Sequence, residues 1–131
     1  MNLKIIQLGI FHLNSCLNLD QISLKGLWTK SQWEKELTDH KRICIGVIDI
    51  ETKELLGLCS AWLVIDELHL TAIAVHPIHK RKGLGKILMS ELIKRSNSLL
   101  TNHIHLEVKK TNEPAKALYK SMGFKIVGNR P

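Results

Sequence analysis

The sequence is short of several things that would settle its class at once. Its three cysteines, Cys16, Cys44 and Cys59, stand apart with no C-x-x-C among them. That spacing excludes a disulfide framework or a zinc ribbon and leaves small apolar core residues. One tyrosine and two phenylalanines offer little for stacking the bases of single-stranded RNA. No recognition-helix pattern marks a sequence-specific DNA reader. No apolar run approaches the ~18–20 residues of a membrane span. The opening MNLKIIQLGIFHLNSC lacks the charged-then-apolar layout and small-residue cleavage site of a secretory signal, so a cytoplasmic location away from membranes is expected. Repeats and low-complexity tracts are missing too.

What is present is the makeup of an ordinary globular chain, 44% hydrophobic and 24% charged. A length of 131 residues predicts one domain, residues 1–131, able to bury roughly two-thirds of its unfolded surface. The formal charge of +7 invites an acidic partner and says nothing about fold. Nucleic acid, an anionic cofactor and ribosomal surroundings all stay open on charge alone.

Along the chain, LKIIQL (Leu3 to Leu8) reads as a first strand, and helical hints follow. SQWE, Ser31 to Glu34, has the capping-box pattern, with Trp33 and Leu37 as an i,i+4 apolar pair behind it. RICIGVIDI and ELLGLCSAWLVI, joined by the polar ETK, read as an antiparallel hairpin. ELHLTAIAV (Glu67 to Val75) is apolar on both faces towards its end and is stopped by Pro77, which predicts a strand central to a sheet. From Leu84 the apolar spacing becomes helical, through Ile87, Leu88 and Leu92. IHLEVK (Ile104 to Lys109) alternates strictly and predicts a strand with Glu107 on its polar face. In NEPAKALYKSMGF, Pro114 suits a first helical turn and Gly123 a C-terminal cap; KIVG predicts a last strand. The fold class expected is α/β: a mixed α+β sheet with helices packed on it.

The stretch with most chemical content is HPIHKRKGLGKILMSELI, from His76 to Ile93. A strand, a glycine turn and a helix present free backbone N–H groups and the positive end of a helix dipole, a combination that binds phosphate. Gly83 and Gly85 would let a backbone approach closely; Lys80, Arg81, Lys82 and Lys86 raise the positive potential. A P-loop is excluded, because Gly85-Lys86 is followed by Ile87 and not by a hydroxyl. A dinucleotide fingerprint is excluded, because position 88 is Leu and not Gly.

The span Lys80-Arg81-Lys82-Gly83-Leu84-Gly85 resembles the pyrophosphate loop, R/Q-x-x-G-x-G/A, of the GCN5-related N-acetyltransferases (the GNAT family), with Lys80 departing at the first position. The resemblance continues in order: DELHLTAIAVHP is similar to that family's central strand, and LEVKKTNEPAKALYKSMGF to its next strand and helix. It covers about Leu68 to Phe124 and is similar above all to the RimI-type alanine acetyltransferases that modify ribosomal proteins. The resemblance implies acetyl-coenzyme A as cosubstrate, gripped by Arg81, Lys82, Gly83, Leu84, Gly85 and Lys86 around its phosphates. It implies that Ile73, Ala74 and Val75 pair with the pantetheine arm and that Asn112 hydrogen-bonds the cofactor, although Asn before a proline-started helix is also a cap. It implies Glu107 as general base and Tyr119 as general acid, for direct attack of a protein N-terminal α-amine on the thioester.

The residues alone keep other readings open: Glu107 as a solvated strand carboxylate, Tyr119 as core, and the whole as a non-catalytic module holding coenzyme A or RNA. An α-amine with pKa near 7.7–8.0 is about a tenth neutral at pH 7, whereas a lysine at about 10.4 is rarely so. This favours an N-terminal amine, with lysine or a small amine as the alternative. The seven histidines give His103 and His105 no third ligand at a usual spacing, so no metal is expected. Members of the family usually continue past a strand like KIVG through a loop to one further strand. The expectation is therefore a sheet lacking its C-terminal strand, as a monomer or as a dimer completed by strand exchange.

Overall fold

The computed structural model describes residues 1–99, 101, 103–108 and 111–125. Among these residues five strands form one mixed sheet in chain order: β1 (Leu3–Gln7), β2 (Arg42–Asp49), β3 (Leu55–Val64), β4 (Glu67–Val75) and β5 (His103–His105). The first three pairings are antiparallel and the last, β4 with β5, is parallel. A parallel neighbour needs a crossover, and helix α3 (Leu84–Ser98) supplies it. Helices α1 (Leu13–Leu24) and α2 (Lys30–Thr38) precede β2, and α4 (Glu113–Ser121) follows β5.

Two apolar layers sandwich the sheet. On one face Leu84, Leu88, Met89 and Leu92 of α3 and Tyr119 of α4 pack against Ile45, Val47 and Leu56. On the other, Cys16 and Leu19 of α1 and Trp33 of α2 cover Cys44, Leu58 and Ala74. Each fully buried Leu or Ile contributes about 1.5–3 kcal/mol by leaving water. The α1–α2 connection turns through Lys25 and Gly26, both at positive φ. It is pinned by the buried Asp20 carboxylate, which accepts from Leu27 N–H (2.7 Å), Trp28 N–H (3.1 Å) and Trp33 Nε1–H (2.6 Å). Those three donors supply the partners a buried carboxylate requires.

Several expectations change. The capping box belongs to Thr29 and Gln32, not to Ser31 and Glu34, because the Thr29 hydroxyl takes the Gln32 N–H and α2 begins two residues earlier than that pattern implies. The hairpin of β2 and β3 is as expected. Strand β4 lies between β3 and β5, an interior position, in keeping with its two buried faces. Strand β5 stops at His105, short of the Lys109 expected. The KIVG strand and the question of a missing C-terminal strand fall mainly on residues 126–131, outside those described. Gly123 follows α4 at φ +93. There Phe124 N–H bonds Tyr119 C=O (3.0 Å) and Gly123 N–H bonds Lys120 C=O (3.1 Å), the paired pattern of a Schellman cap.

Candidate active site

The site begins with an irregularity in β4. Ser60 of β3 pairs with Ala72, but Ala61 pairs with Leu70, so Thr71 is an extra residue on β4. Such a bulge bends its strand and interrupts pairing. On the other edge, β4 is paired with β5 only at Glu67, Leu68 and His69, opposite His103, Ile104 and His105. The last pair thus lies immediately before the bulge. Beyond it the two strands part, and among the described residues nothing takes β5's place beside residues 70–75.

Backbone alternation decides which groups face that fork. His76 N–H bonds Leu56 C=O on β3 at 2.8 Å, so Ala74, two residues earlier, also turns its N–H and C=O to β3. Ile73 and Val75 turn theirs into the fork. The Val75 carbonyl accepts from the Ser23 hydroxyl of α1 at 3.0 Å. Of the three residues expected to meet a pantetheine arm, Ile73 and Val75 therefore present backbone there. Ala74 spends its backbone on β3 and its methyl on the α1/α2 core.

The bulge is held from below by α2. Glu36 is buried, and its Oε2 accepts from Ser60 Oγ. Thr71 Oγ1 lies 3.2 Å from the same oxygen and 3.0 Å from Ser60 C=O, so its single proton serves one of them at a time. Cys44 Sγ is 3.3 Å from Ser60 Oγ, and Arg42 Nε is 3.6 Å from Glu36 Oε1. Arg42 also stacks on Trp62, its guanidinium carbon 4.4 Å from the ring centre. Sequence reading missed Glu36, Ser60 and Thr71. Only a threonine within LTAIAV hints that the strand carries a polar anchor there.

After β4 the chain turns through Pro77–His79 and reaches α3 by way of Gly83. Gly83 has φ +78 and caps the helix without a side-chain bond, so the first-turn N–H groups of α3 get no partner from the capping residue. A Cβ on Gly83 would meet nothing within 4 Å, so glycine is required there by conformation and not by space. Gly85 differs: a Cβ on it would lie 3.2 Å from Leu118 Cδ2, so its smallness lets α4 pack on α3. Arg81 also stands at positive φ (67) without being glycine, a conformation that costs energy and recurs at ligand sites. Arg81, Lys82 and Lys86 are exposed around the turn, while Leu84 is buried beneath it in the core. A groove of about 380 Å³ between β1 and α3 meets this turn only at Gly83 and Lys86, and neither Glu107 nor Tyr119 lines it.

Asn112 caps α4, its side-chain oxygen accepting from Ala115 N–H at 3.2 Å. Glu107 lies two residues beyond the end of β5, exposed, not within a strand as expected. The ladder with β4 ends at His105, two residues before it. Tyr119 is buried in the α3/α4 core, and its ring meets Phe124 edge-on at 5.9 Å. The Schellman cap brings the two rings together. Burial pushes the Tyr119 phenol above its ordinary value, with a smaller contribution from Cys59.

Comparison with known proteins bears on this arrangement directly. The model of the acetyltransferase (GNAT) family matches residues 10–124. A Bacillus subtilis (strain 168) protein, provisionally named a ribosomal protein bS18-alanine N-acetyltransferase, is 30% identical over 112 residues, 86% of this chain and 74% of its own. The Escherichia coli (strain K12) ribosomal protein bS18-alanine N-acetyltransferase is 42% identical over 62 residues, 47% of this chain and 42% of its own. The crystal structure of the ribosomal-protein-S18-alanine N-acetyltransferase from Escherichia coli superposes with a TM-score of 0.87 at 25% identity, over 95% of this chain and 78% of that one. The PaiA N-acetyltransferase of Thermoplasma acidophilum, solved with coenzyme A, gives 0.89 at 18% identity, over 99% and 94%, a likeness of fold. The forked sheet, the glycine-capped helix and these likenesses agree, and the chain belongs to the acetyltransferase (GNAT) family as an acetyl-coenzyme A-dependent N-acetyltransferase.

Proposed function

We propose that this chain, acting as one domain over residues 1–131 in the cytoplasm, acetylates the N-terminal α-amine of a protein, a ribosomal protein first among the candidates. The observation that carries this reading is the fork. Among the described residues no strand pairs with Ile73 and Val75 on this edge, the Val75 carbonyl taking only the Ser23 hydroxyl, and the same strand runs on to the Gly83-capped start of α3. An arm laid in the fork leads its phosphates to the first-turn N–H groups and to Arg81, Lys82 and Lys86, where the helix dipole and local charge stabilise them. The relatives named for alanine of bS18 supply the substrate class.

In this mechanism the neutral α-amine attacks the thioester carbonyl. A backbone N–H in the fork, that of Ile73, stabilises the developing oxyanion. The amine proton leaves to Glu107 directly or through one water, and Tyr119 protonates the departing thiolate. A phenol raised above 10 is a poor donor to a thiolate of ordinary basicity, so the surroundings must raise the acceptor as well. Burial against this core layer raises a thiol, as it does at Cys59, and a coenzyme A thiolate formed where water is excluded is raised in the same direction.

The test is kinetic. Glu107→Gln should lower kcat for acetylation of an N-terminal peptide by roughly 10²–10⁴-fold, the usual worth of a positioned base. Calorimetric affinity for acetyl-coenzyme A should stay unchanged. Full activity in Glu107→Gln would remove Glu107 from the mechanism. Absence of acetyl-coenzyme A binding by the folded wild-type chain would remove the fork as its site.

A further inference from the structure

At the closed end of the fork, on the strand pair that does not open, three side chains meet that are far apart in sequence. His69 of β4 and His105 of β5 are direct partners across the parallel ladder. Their imidazoles stack at 4.9 Å with 18° between planes. Both direct Nε2 at one carboxylate: His105 Nε2 lies 2.8 Å from Glu67 Oε2, and His69 Nε2 lies 3.6 Å from Glu67 Oε1. The three ligand-type atoms fall within 4.8 Å of one another, and each residue is partly exposed and open to solvent.

We propose that Glu67, His69 and His105 form a binding site for a divalent transition cation, zinc in the first instance. Two imidazoles and one carboxylate are a known three-residue zinc donor set, with a fourth position left for water. Zinc bonds of about 2.0–2.2 Å put neighbouring ligands of a tetrahedron roughly 3.3–3.5 Å apart. Small side-chain rotations bring these three atoms to that separation. The backbone need not move, because Glu67 and His69 are alternate residues of one strand and His105 is fixed opposite His69. The donors are soft enough to prefer zinc, nickel or copper over magnesium or calcium. His103, whose ring lies 5.9 Å from that of His105, is the nearest further imidazole. The three cysteines do not compete, being buried with thiols pushed up to about 11 or 12.

A cation held there ties β4 to β5 just before the strands part, fixing the hinge of the fork. The site is independent of the acetyl-transfer roles assigned above, and it is read without measuring activity. Tag-free protein titrated calorimetrically with zinc chloride at pH 7.5, where free imidazole is mostly neutral, should bind one ion with micromolar affinity. Replacing a partner that only orients a zinc ligand already costs about 10–100-fold. His69→Ala and His105→Ala should each therefore weaken binding at least about tenfold. His79→Ala, which alters the separate His76–His79 pair, should leave it unchanged. Glu67→Gln serves as a third variant should either alanine change unfold the chain. A folded wild type with no saturable zinc binding, or binding that survives His69→Ala and Glu67→Gln undiminished, would overturn the proposal and leave the cluster as an ion pair.

Discussion

The two faces of the sheet are built on different principles. The α3/α4 face is filled mainly by apolar side chains, with the Tyr119 phenol and the Ser96 hydroxyl among them. The α1/α2 face has an apolar centre too, but it also buries Asp20, Glu36 and Ser60, each provided with hydrogen-bond partners. A dry layer is governed by volume, since any apolar residue of the right size restores most of the transfer energy. A buried polar set is governed by satisfaction, since losing one partner strands another. The first kind of layer suits the support of a helix. The second suits fixing one backbone distortion, and here it fixes the Thr71 bulge that opens the fork.

Truncation on the dry face should give the largest stability effect. Leu88 is 0% exposed, and Leu88→Ala should lower the free energy of unfolding by about 2–5 kcal/mol, measured by urea denaturation. Leu88→Met, which keeps the volume, should cost less than about 1.5 kcal/mol. If both cost the same, that face does not follow volume, and the contrast fails on its simpler side.

On the polar face, Ser60→Ala removes a single oxygen yet leaves Glu36 without its Ser60 donor and Cys44 with only the Glu36 carbonyl as its oxygen neighbour. The expected loss is about 1–3 kcal/mol. Acetyl-coenzyme A affinity should fall with it, because the bulge shapes the fork. Ser60→Ala at wild-type stability would mean that the bulge stands without Glu36, and that the polar set is a bystander.

The sequence made these two faces unequally legible. Helix α3 follows from Leu84, Ile87, Leu88 and Leu92, and the cap of α4 from Asn112, Pro114 and Gly123, because periodicity and capping are local. The same locality makes Gly83 recognisable as a helix start, while the packing of Gly85 on Leu118 is a further reason for glycine that the sequence does not show. The fork was not readable. It depends on Ser60 and Thr71 meeting Glu36 from 24 and 35 positions away. IHLEVK alternates strictly, yet its ladder ends at His105 because β4 bends, a cause that lies outside the segment. His103 and His105 were set aside for want of a third ligand, and the missing partners sat 38 positions upstream at Glu67 and in the facing His69.

The finest distinction concerns the phenol on the dry face. Tyr119 is the only tyrosine of the chain, so its ionisation can be followed by near-ultraviolet absorbance without a background of other phenols. Burial raises its pKa first, and Cys59 adds to that. The native midpoint should therefore lie above the ordinary value of about 10 and return to it on unfolding. A folded-state pKa raised above the unfolded one means that the neutral phenol favours the fold. That stabilisation is fully present below the unfolded pKa and is lost as pH rises through the folded one. The buried thiols lose stability over the same alkaline range, their values being raised from 9.0 to about 11 or 12. The phenol is isolated by difference: Tyr119→Phe should lose less stability than wild type between pH 9 and pH 11. Equal losses, or a native midpoint at 10, would mean that the hydroxyl meets water, and that the face supporting the helix is wet where the catalytic proposal needs it dry.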